Sequence, residues 1–378
     1  GVALISRRIV GRTHAQESLS MRFIFKTSYA QDINVLKHEG QAFWYGLLLL
    51  SLVLCPLVVS EFWMAQINII LIYSLVGFGT MILLGYTGQL SFGHAAFFGL
   101  GAFVQAFFTN QGWPFFAALS LSILVNVILG ALIALPALRV KGIFLGVATL
   151  ALGLIVEEVF VKWESFTNGT SGLAVKPAQI LGVVFNTQVS FFYLVLGIVV
   201  VATLLTINLL RSATGRAFIA IRDSEISAQS MGIHVGRYKI IAFMLSAGFT
   251  GVGGAMYAHY LRFISPENFN LFLSLDFVLM VIIGGLASIH GIFFGAIFII
   301  IMPPLIANLK DLLPVFMANA AGLQNVIYGV ILICFVLFEP MGLYGRWFKI
   351  RTYFQVFPFY RDGMFKRQKS FQKSDRLK

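Results

Sequence analysis

One uncharged stretch of this chain carries side chains that its apolar surroundings do not explain. It reads Gly85-Tyr-Thr-Gly-Gln-Leu-Ser-Phe-Gly-His94 and runs on into Ala-Ala-Phe-Phe-Gly99, so that Gly88, Gln89, Ser91, Gly93, His94 and Phe97 fall within ten positions. Polar residues with repeated glycines between apolar runs suit a broken helix, whose unpaired backbone N–H and C=O groups form substrate sites in transporters. A second stretch is built alike, with Gly284, Gly285, Ser288 and His290, again followed by Phe, Phe and Gly at the same offsets from the His. Matching breaks in two halves of a chain hint at an internal repeat. Small residues also let membrane helices approach closely with no ligand involved, so packing and pathway lining both stay open for the glycines. For His94 and His290 a structural hydrogen bond stands beside a transport role. Neither has a Cys or carboxylate at ligand spacing, and Cys55 and Cys334 lie in apolar runs, so no metal site is expected.

Carboxylates within the apolar runs are few. Glu157 and Glu158 fall near the end of one, Asp276 at the start of another and Glu339 at the end of a third, all expected close to an interface. A proton- or sodium-driven carrier needs a buried acid near the membrane midplane, and the sequence offers no clear one. It also contains no G-x-x-x-x-G-K-[ST] phosphate cradle and no G-x-S-x-G nucleophile elbow. Work against a gradient would draw on another polypeptide. The segment expected to receive it is 211–238, polar and dense in charge. Residues 223–231 have an Asp or Ser to cap a helix of about two turns. Ile226, Gln229 and Ser230 share one face by three-and-four spacing, and Gly232 is a natural stop. An ordinary basic connecting loop is the other reading of the same charges.

These segments need a frame. Of 378 residues 58% are apolar and 11% charged, against about 25% charged in soluble domains. Too little polar surface remains for a water-soluble body, which sets aside a soluble enzyme, a nucleic-acid binder and a disordered chain. At about 20 apolar residues per span, candidate spans are 43–60, 64–84, 93–109, 115–136, 143–161, 190–210, 239–261, 275–289, 291–308 and 325–339. Continuous apolarity makes them helices rather than barrel strands. The expected fold is thus an all-α polytopic membrane protein of about ten helices, some broken or re-entrant. With both termini cytoplasmic, 23 of the 27 Lys and Arg fall inside, leaving Lys162, Lys176, Arg262 and Lys310 outside. The net charge of +12 is then a topology signal rather than a nucleic-acid footprint. The first 42 residues lack the apolar run of a signal peptide and are expected as a cytoplasmic segment. Residues 43–340 form the membrane domain, with 162–189 a polar external connection. Residues 341–378 form a basic cytoplasmic tail against membrane lipid.

Five blocks in order carry a family resemblance: Gly85–Ala102, Arg139–Leu150, Thr167-Asn-Gly-Thr-Ser-Gly-Leu173, Arg222-Asp-Ser-Glu-Ile-Ser-Ala-Gln-Ser-Met-Gly-Ile233 and Val281–Gly291. From about residue 20 to 345 the chain resembles the LivM-type permease of branched-chain amino acid ABC importers, a family with urea and short-amide relatives. The resemblance implies a permease in the bacterial inner membrane, without an ATPase site of its own and with no cofactor beyond the ATP bound by its partners. Those partners would be a sister permease, two cytosolic ATP-binding subunits and a periplasmic substrate-binding protein. Residues 222–233 would be the coupling helix, with Arg222, Asp223, Glu225, Ala228 and Gly232 as its marks. Here Glu225 and Gly232 are seven apart where the usual permease loop has six, and Ala228 alone stands for its pair of alanines. Transport would proceed by alternating access. Phe97, Phe98, Phe293 and Phe294 are expected to wall the pathway, with Gln89 and Ser91 at the substrate's polar end. A self-sufficient carrier and a non-transporting scaffold are the competing classes.

Overall fold

The computed structural model describes residues 39–140, 142–180, 182–310, 322–339 and 341–356. The N-terminal segment to residue 38 and the tail beyond 356 lie outside the described residues. The chain divides into two compact units, one of 44–344 and one of its two ends, 1–43 with 345–378. The functional questions concern the first.

Each expected span lies largely on a helix, though 43–60 runs past the end of its helix and 275–289 runs across a break between Gly284 and Ile289. In chain order the helices are α1 Glu39–Leu54, α2 Glu61–Thr80, α3 His94–Asn110, α4 Phe115–Ala137, α5 Ile143–Lys162 and α6 Gln188–Arg211. Two short helices, α7 Ala213–Asp223 and α8 Glu225–Ser230, precede α9 Val235–Leu261. Then come α10 Leu271–Gly284, α11 Ile289–Lys310, α12 Leu323–Phe338 and α13 Gly342–Val356. Among the described residues seven helices are long and apolar enough to cross a membrane. The protein is therefore an α-helical, multi-pass membrane protein. The expected count of ten is not reached, because α1, α3 and α12 have 16, 17 and 16 residues. Of the two expected spans that could have re-entered, α11 is a full-length helix, and α10 becomes one with the 3₁₀ turn Pro266–Phe269 before it.

The centre of the bundle is α9, which packs against α2, α3 and α4. Lipid supplies no hydrophobic drive between helices, so close packing must hold them, and close packing needs small residues. A Cβ added at Gly254 of α9 would stand 1.9 Å from the Phe98 carbonyl oxygen of α3, and one at Gly101 2.3 Å from the Gly251 oxygen. The α10–α11 hairpin closes alike, Gly284 onto the Gly291 oxygen and Gly295 onto the Met280 oxygen, both at 1.9 Å. Aromatic rings fill what the glycines leave. Phe98 meets Phe277 at 5.2 Å, Tyr257 at 5.0 Å and Phe269 at 5.9 Å between ring centres.

One end of the bundle is basic, carrying Arg139, α7, α8 and the start of α9. The opposite end is closed by the 163–187 connection, which is folded rather than loose. Its strand β1, Leu173–Ala174, pairs antiparallel with the later strand Phe263–Ile264, while β2, Ala178–Ile180, and β3, Val183–Phe185, form a hairpin. Asn110 at the end of α3 clamps it, donating from Nδ2 to the Ala174 oxygen at 2.6 Å and accepting from the Lys176 N–H at 3.2 Å.

The backbone approaches give a direct stability test. Gly254→Val should destabilise the bundle by several kcal/mol, since even tolerated overpacking costs about 1–3 kcal/mol. Gly197→Ala, whose Cβ would meet nothing within 4 Å, should leave it as stable or raise its stability by up to about 1 kcal/mol. Thermal unfolding of the purified variants in detergent separates the two.

Candidate functional site

The site is built around the glycine junction between α2 and α3. The last turn of α2 widens into a π-helix, Met81–Tyr86, a distortion common at functional sites. The Thr87 N–H then reaches back five residues to the Ile82 oxygen at 3.2 Å, and the Gln89 N–H to the Leu83 oxygen at 2.9 Å. Gly88 turns the chain at φ +69°. The chain now runs back into the bundle before α3 begins. His94, the first residue of α3, pairs through Nε2 with Ser246 Oγ at 3.0 Å. Ser246 is eleven residues into α9, about 17 Å from its start. This depth is why α3 is short.

Several polar groups of the junction are answered by protein, as a water-poor interior requires. Thr87 Oγ1 donates to the Leu83 oxygen at 2.6 Å and accepts from Gln89 Nε2 at 3.1 Å. The Phe92 N–H donates to Thr149 Oγ1 on α5 at 3.0 Å, and the Ala95 N–H to Ser274 Oγ on α10 at 2.9 Å. Gly93 N–H lies 3.4 Å from Ser91 Oγ. The Ser91 carbonyl, 3.3 Å from His94 Nδ1, can only accept, so Nδ1 carries the proton and Nε2 is left for the Ser246 hydroxyl. Gln89, Ser91, His94 and Phe97 are all buried.

The second glycine break lies elsewhere. Gly284 and Gly285 end α10 at the basic end, where Ser288 Oγ accepts from the Gly291 N–H at 3.1 Å and starts α11. His290 is exposed, with Tyr45 Oη 3.1 Å from its Nε2 and the Tyr344 ring stacked on it at 5.9 Å. The two histidines thus begin helices alike but sit in unlike places, one sealed at depth and one at the surface. The breaks still touch. Tyr86 Oη donates to the Ala287 oxygen at 2.9 Å, and a Cβ at Gly85 would lie 2.7 Å from the Ala287 nitrogen. Of the expected aromatic wall, Phe97 packs among Ile82, Phe218 and Phe243, and Phe98 in the main core, while Phe293 meets Phe78 edge-on at 5.9 Å.

The charged loop is tied to this junction from outside. α8 starts as expected, with Ser224 Oγ accepting from the Ser227 N–H at 3.2 Å, and stops at Gly232 with φ +84°. The Ile233 N–H returns to the Ala228 oxygen and the Gly232 N–H to the Gln229 oxygen, a Schellman closure. Ala228 faces inward and is buried, while Ile226 and Met231 are 82% and 83% exposed. Arg222, at the end of α7, donates from Nη1 to the Gly85 oxygen at 3.0 Å and pairs with Asp223 at 3.3 Å. A Cβ at Gly88 would touch the Arg222 side chain at 3.2 Å. Glu225 meets Lys239 Nζ on α9 at 2.6 Å, with the Lys239 side chain 6% exposed.

Three features escaped the sequence reading. α7 is a full amphipathic helix whose Phe218 and Ile221 bury against the bundle, hidden because a basic loop and a short surface helix share a composition. Asp276, expected at the start of a span, is the sixth residue of α10. The preceding residues Leu271–Leu275, apolar but for Ser274, were the available signal for the earlier start. The third is the tie from Arg222 to Gly85, which spans 137 residues and leaves no local mark.

Comparison with known proteins adds an independent line. A family model described as branched-chain amino acid transport system / permease component matches residues 63–336. The high-affinity branched-chain amino acid transport system permease protein LivM of Salmonella typhimurium is 28% identical over 321 residues, 78% of this chain and 73% of its own. LivM of Escherichia coli is 28% identical over 330 residues, covering 81% and 75%. The probable branched-chain amino acid transport permease protein LivM of Methanocaldococcus jannaschii is 24% identical over 236 residues, covering 60% and 67%. No solved structure matches the chain at a significant level.

The ion pair offers a test that needs no transport assay. Lys239→Met removes the buried ammonium that meets Glu225 and should destabilise the protein by about 1–3 kcal/mol, less than the figure for a fully buried pair because Glu225 is partly exposed. Glu225→Gln in the same chain should recover part of that loss. A double-mutant cycle on thermal unfolding in detergent reads the coupling.

Proposed function

The chain belongs to the permease-component family of branched-chain amino acid transport systems, and on that premise we propose that it is one membrane subunit of an ATP-driven importer for branched-chain amino acids. In this reading the basic end faces the cytoplasm of a bacterium and the 163–187 connection faces the periplasm. A sister permease, two ATP-binding subunits and a periplasmic binding protein complete the machine.

The observation that carries the coupling role is the build of α7 and α8. Two large apolar side chains, Ile226 and Met231, stand almost fully exposed on a charged loop at the basic end, as a protein-docking surface requires and a bare loop does not. The residues beside them are anchored inward, Arg222 on Gly85 and Glu225 on Lys239. An ATPase that closes on this knob therefore pulls on two defined points. Gly85 begins the junction that ends at His94, and Lys239 lies on α9, whose Ser246 holds His94. Both anchors lead to the same buried hinge, and its movement would open one side of the bundle as the other closes. A ligand shifts such a balance only through unequal affinity for the two states, so this subunit should hold substrate weakly.

The branched-chain substrate is supported by the relatives, whose names state that transport. The aromatic and aliphatic interior suits an apolar side chain. Purification of the chain from native membranes should recover ATP-binding subunits, and Ile226→Asp with Met231→Asp should abolish that recovery. Arg222→Ala should instead keep the ATPase bound and cut ATP-driven leucine uptake by about tenfold, if the lost charged hydrogen bond, about 1.5–3 kcal/mol, transmits the stroke. Uptake without any ATPase would favour a self-sufficient carrier.

A further inference from the structure

α5 is the least buried of the seven long helices. Its uncovered side carries Phe144, Val147, Ile155 and Val159, as contact with lipid or another helix demands. Two carboxylates interrupt it. Glu158 is answered by Lys162 one turn on, at 3.0 Å. Glu157 has no hydrogen bond or ion pair among the described residues. Glu157 is part-exposed, five residues before the end of α5, and an ionisable group in a span with no partner among the described residues is a candidate to face a ligand or a cavity.

Glu157 has such a cavity. It lines a narrow cleft with Phe92, Gly153, Phe269, Asn270 and Ser274, of about 10 Å³, room for roughly one water. One wall is the glycine junction itself, which α5 meets at Gly153, where a Cβ would lie in ordinary contact, 3.7 Å from the Phe92 oxygen. The opposite wall is the start of α10, where Ser274 holds the Ala95 N–H and ties the cleft to the first turn of α3. Any movement of the junction must therefore change the width of the cleft. The lining pairs one carboxylate and the polar Asn270 and Ser274 with phenylalanine rings.

We propose that Glu157 is the group that receives the substrate's ammonium group when this cleft opens, so that the translocation pathway runs between α5, the 87–95 junction and α10. A primary ammonium is a counter-ion that suits this carboxylate, and the aromatic wall accepts the apolar side chain attached to it. This assignment rests on the amino acid import reading above.

The test is leucine uptake per ATP hydrolysed by the complete importer in proteoliposomes, for wild type, Glu157→Gln, Glu157→Asp and Glu158→Gln. Glu157→Gln should lower that ratio about tenfold or more, as loss of a charge-assisted bond implies, and Glu158→Gln should keep the wild-type ratio. A wild-type ratio for Glu157→Gln overturns the proposal, as does an equal loss from Glu158→Gln, which would mark a general effect of charge on this helix. Should Glu157→Gln fail to assemble, Glu157→Asp decides. It keeps the charge but draws it back by one methylene, and a lowered ratio supports the assignment where a wild-type ratio overturns it. A wild-type importer that moves no leucine on ATP removes the branched-chain reading and this proposal together; one that moves leucine, matched by Glu157→Gln, removes the proposal alone.

Discussion

The approach of α3 to α9 leaves no room for side chains: the backbones meet at Phe98 against Gly254 and at Gly101 against Gly251. Everything else in the fold depends on that contact. It sets α3 at the depth where His94 reaches Ser246, and it fixes how far the chain must travel back into the bundle after α2 ends. In lipid such a contact cannot be held by water-driven association alone, so the surfaces must interlock. Glycine is the only residue that permits the distance, and dispersion between the touching backbones and the rings around them supplies the hold.

Once α3 starts at depth, the residues before it must cross a region with no water. The junction manages this by consuming its own polar groups. Thr87, Ser91, Thr149, Ser246 and Ser274 each take a donor or carbonyl that would otherwise be stranded. The helix break is thus both costly to form and stable once formed, the condition for a hinge with discrete positions rather than a loose segment. Its two outside attachments, at Gly85 and through α9, come from Arg222 and Glu225, three residues apart on one charged loop. A force on that loop has a stiff path of backbone and side-chain contacts to His94.

The glycine junction was legible as an anomaly because its composition breaks the apolar pattern on both sides, and α8 was legible from its Ser cap and Gly stop. The likeness between the stretches around His94 and His290 was also visible, and each indeed starts a helix. Their environments were not visible. Whether a histidine is sealed or exposed depends on how far its helix penetrates, which the neighbouring residues do not encode. Asp276 was misplaced for a related reason: an apolar run has no internal mark for where a helix begins, and the Asn270 cap that starts α10 lies outside the run.

What the sequence determined alone was the solvent. Too few charges for a water-exposed surface, and apolar runs long enough to cross a bilayer, make a helical membrane protein unavoidable, because backbone groups in lipid must be satisfied within the segment. It also determined which segments would be odd, since a polar or glycine-rich interruption cannot be hidden in such a background. Only the tertiary structure decided which oddities meet. Arg222 finds Gly85, Ser246 finds His94, and Glu157 comes to line one cleft with Phe92 across 65 residues of chain. Such pairings follow from where whole helices pack, and that is set by backbone approach and volume summed over the bundle rather than by any local run of residues.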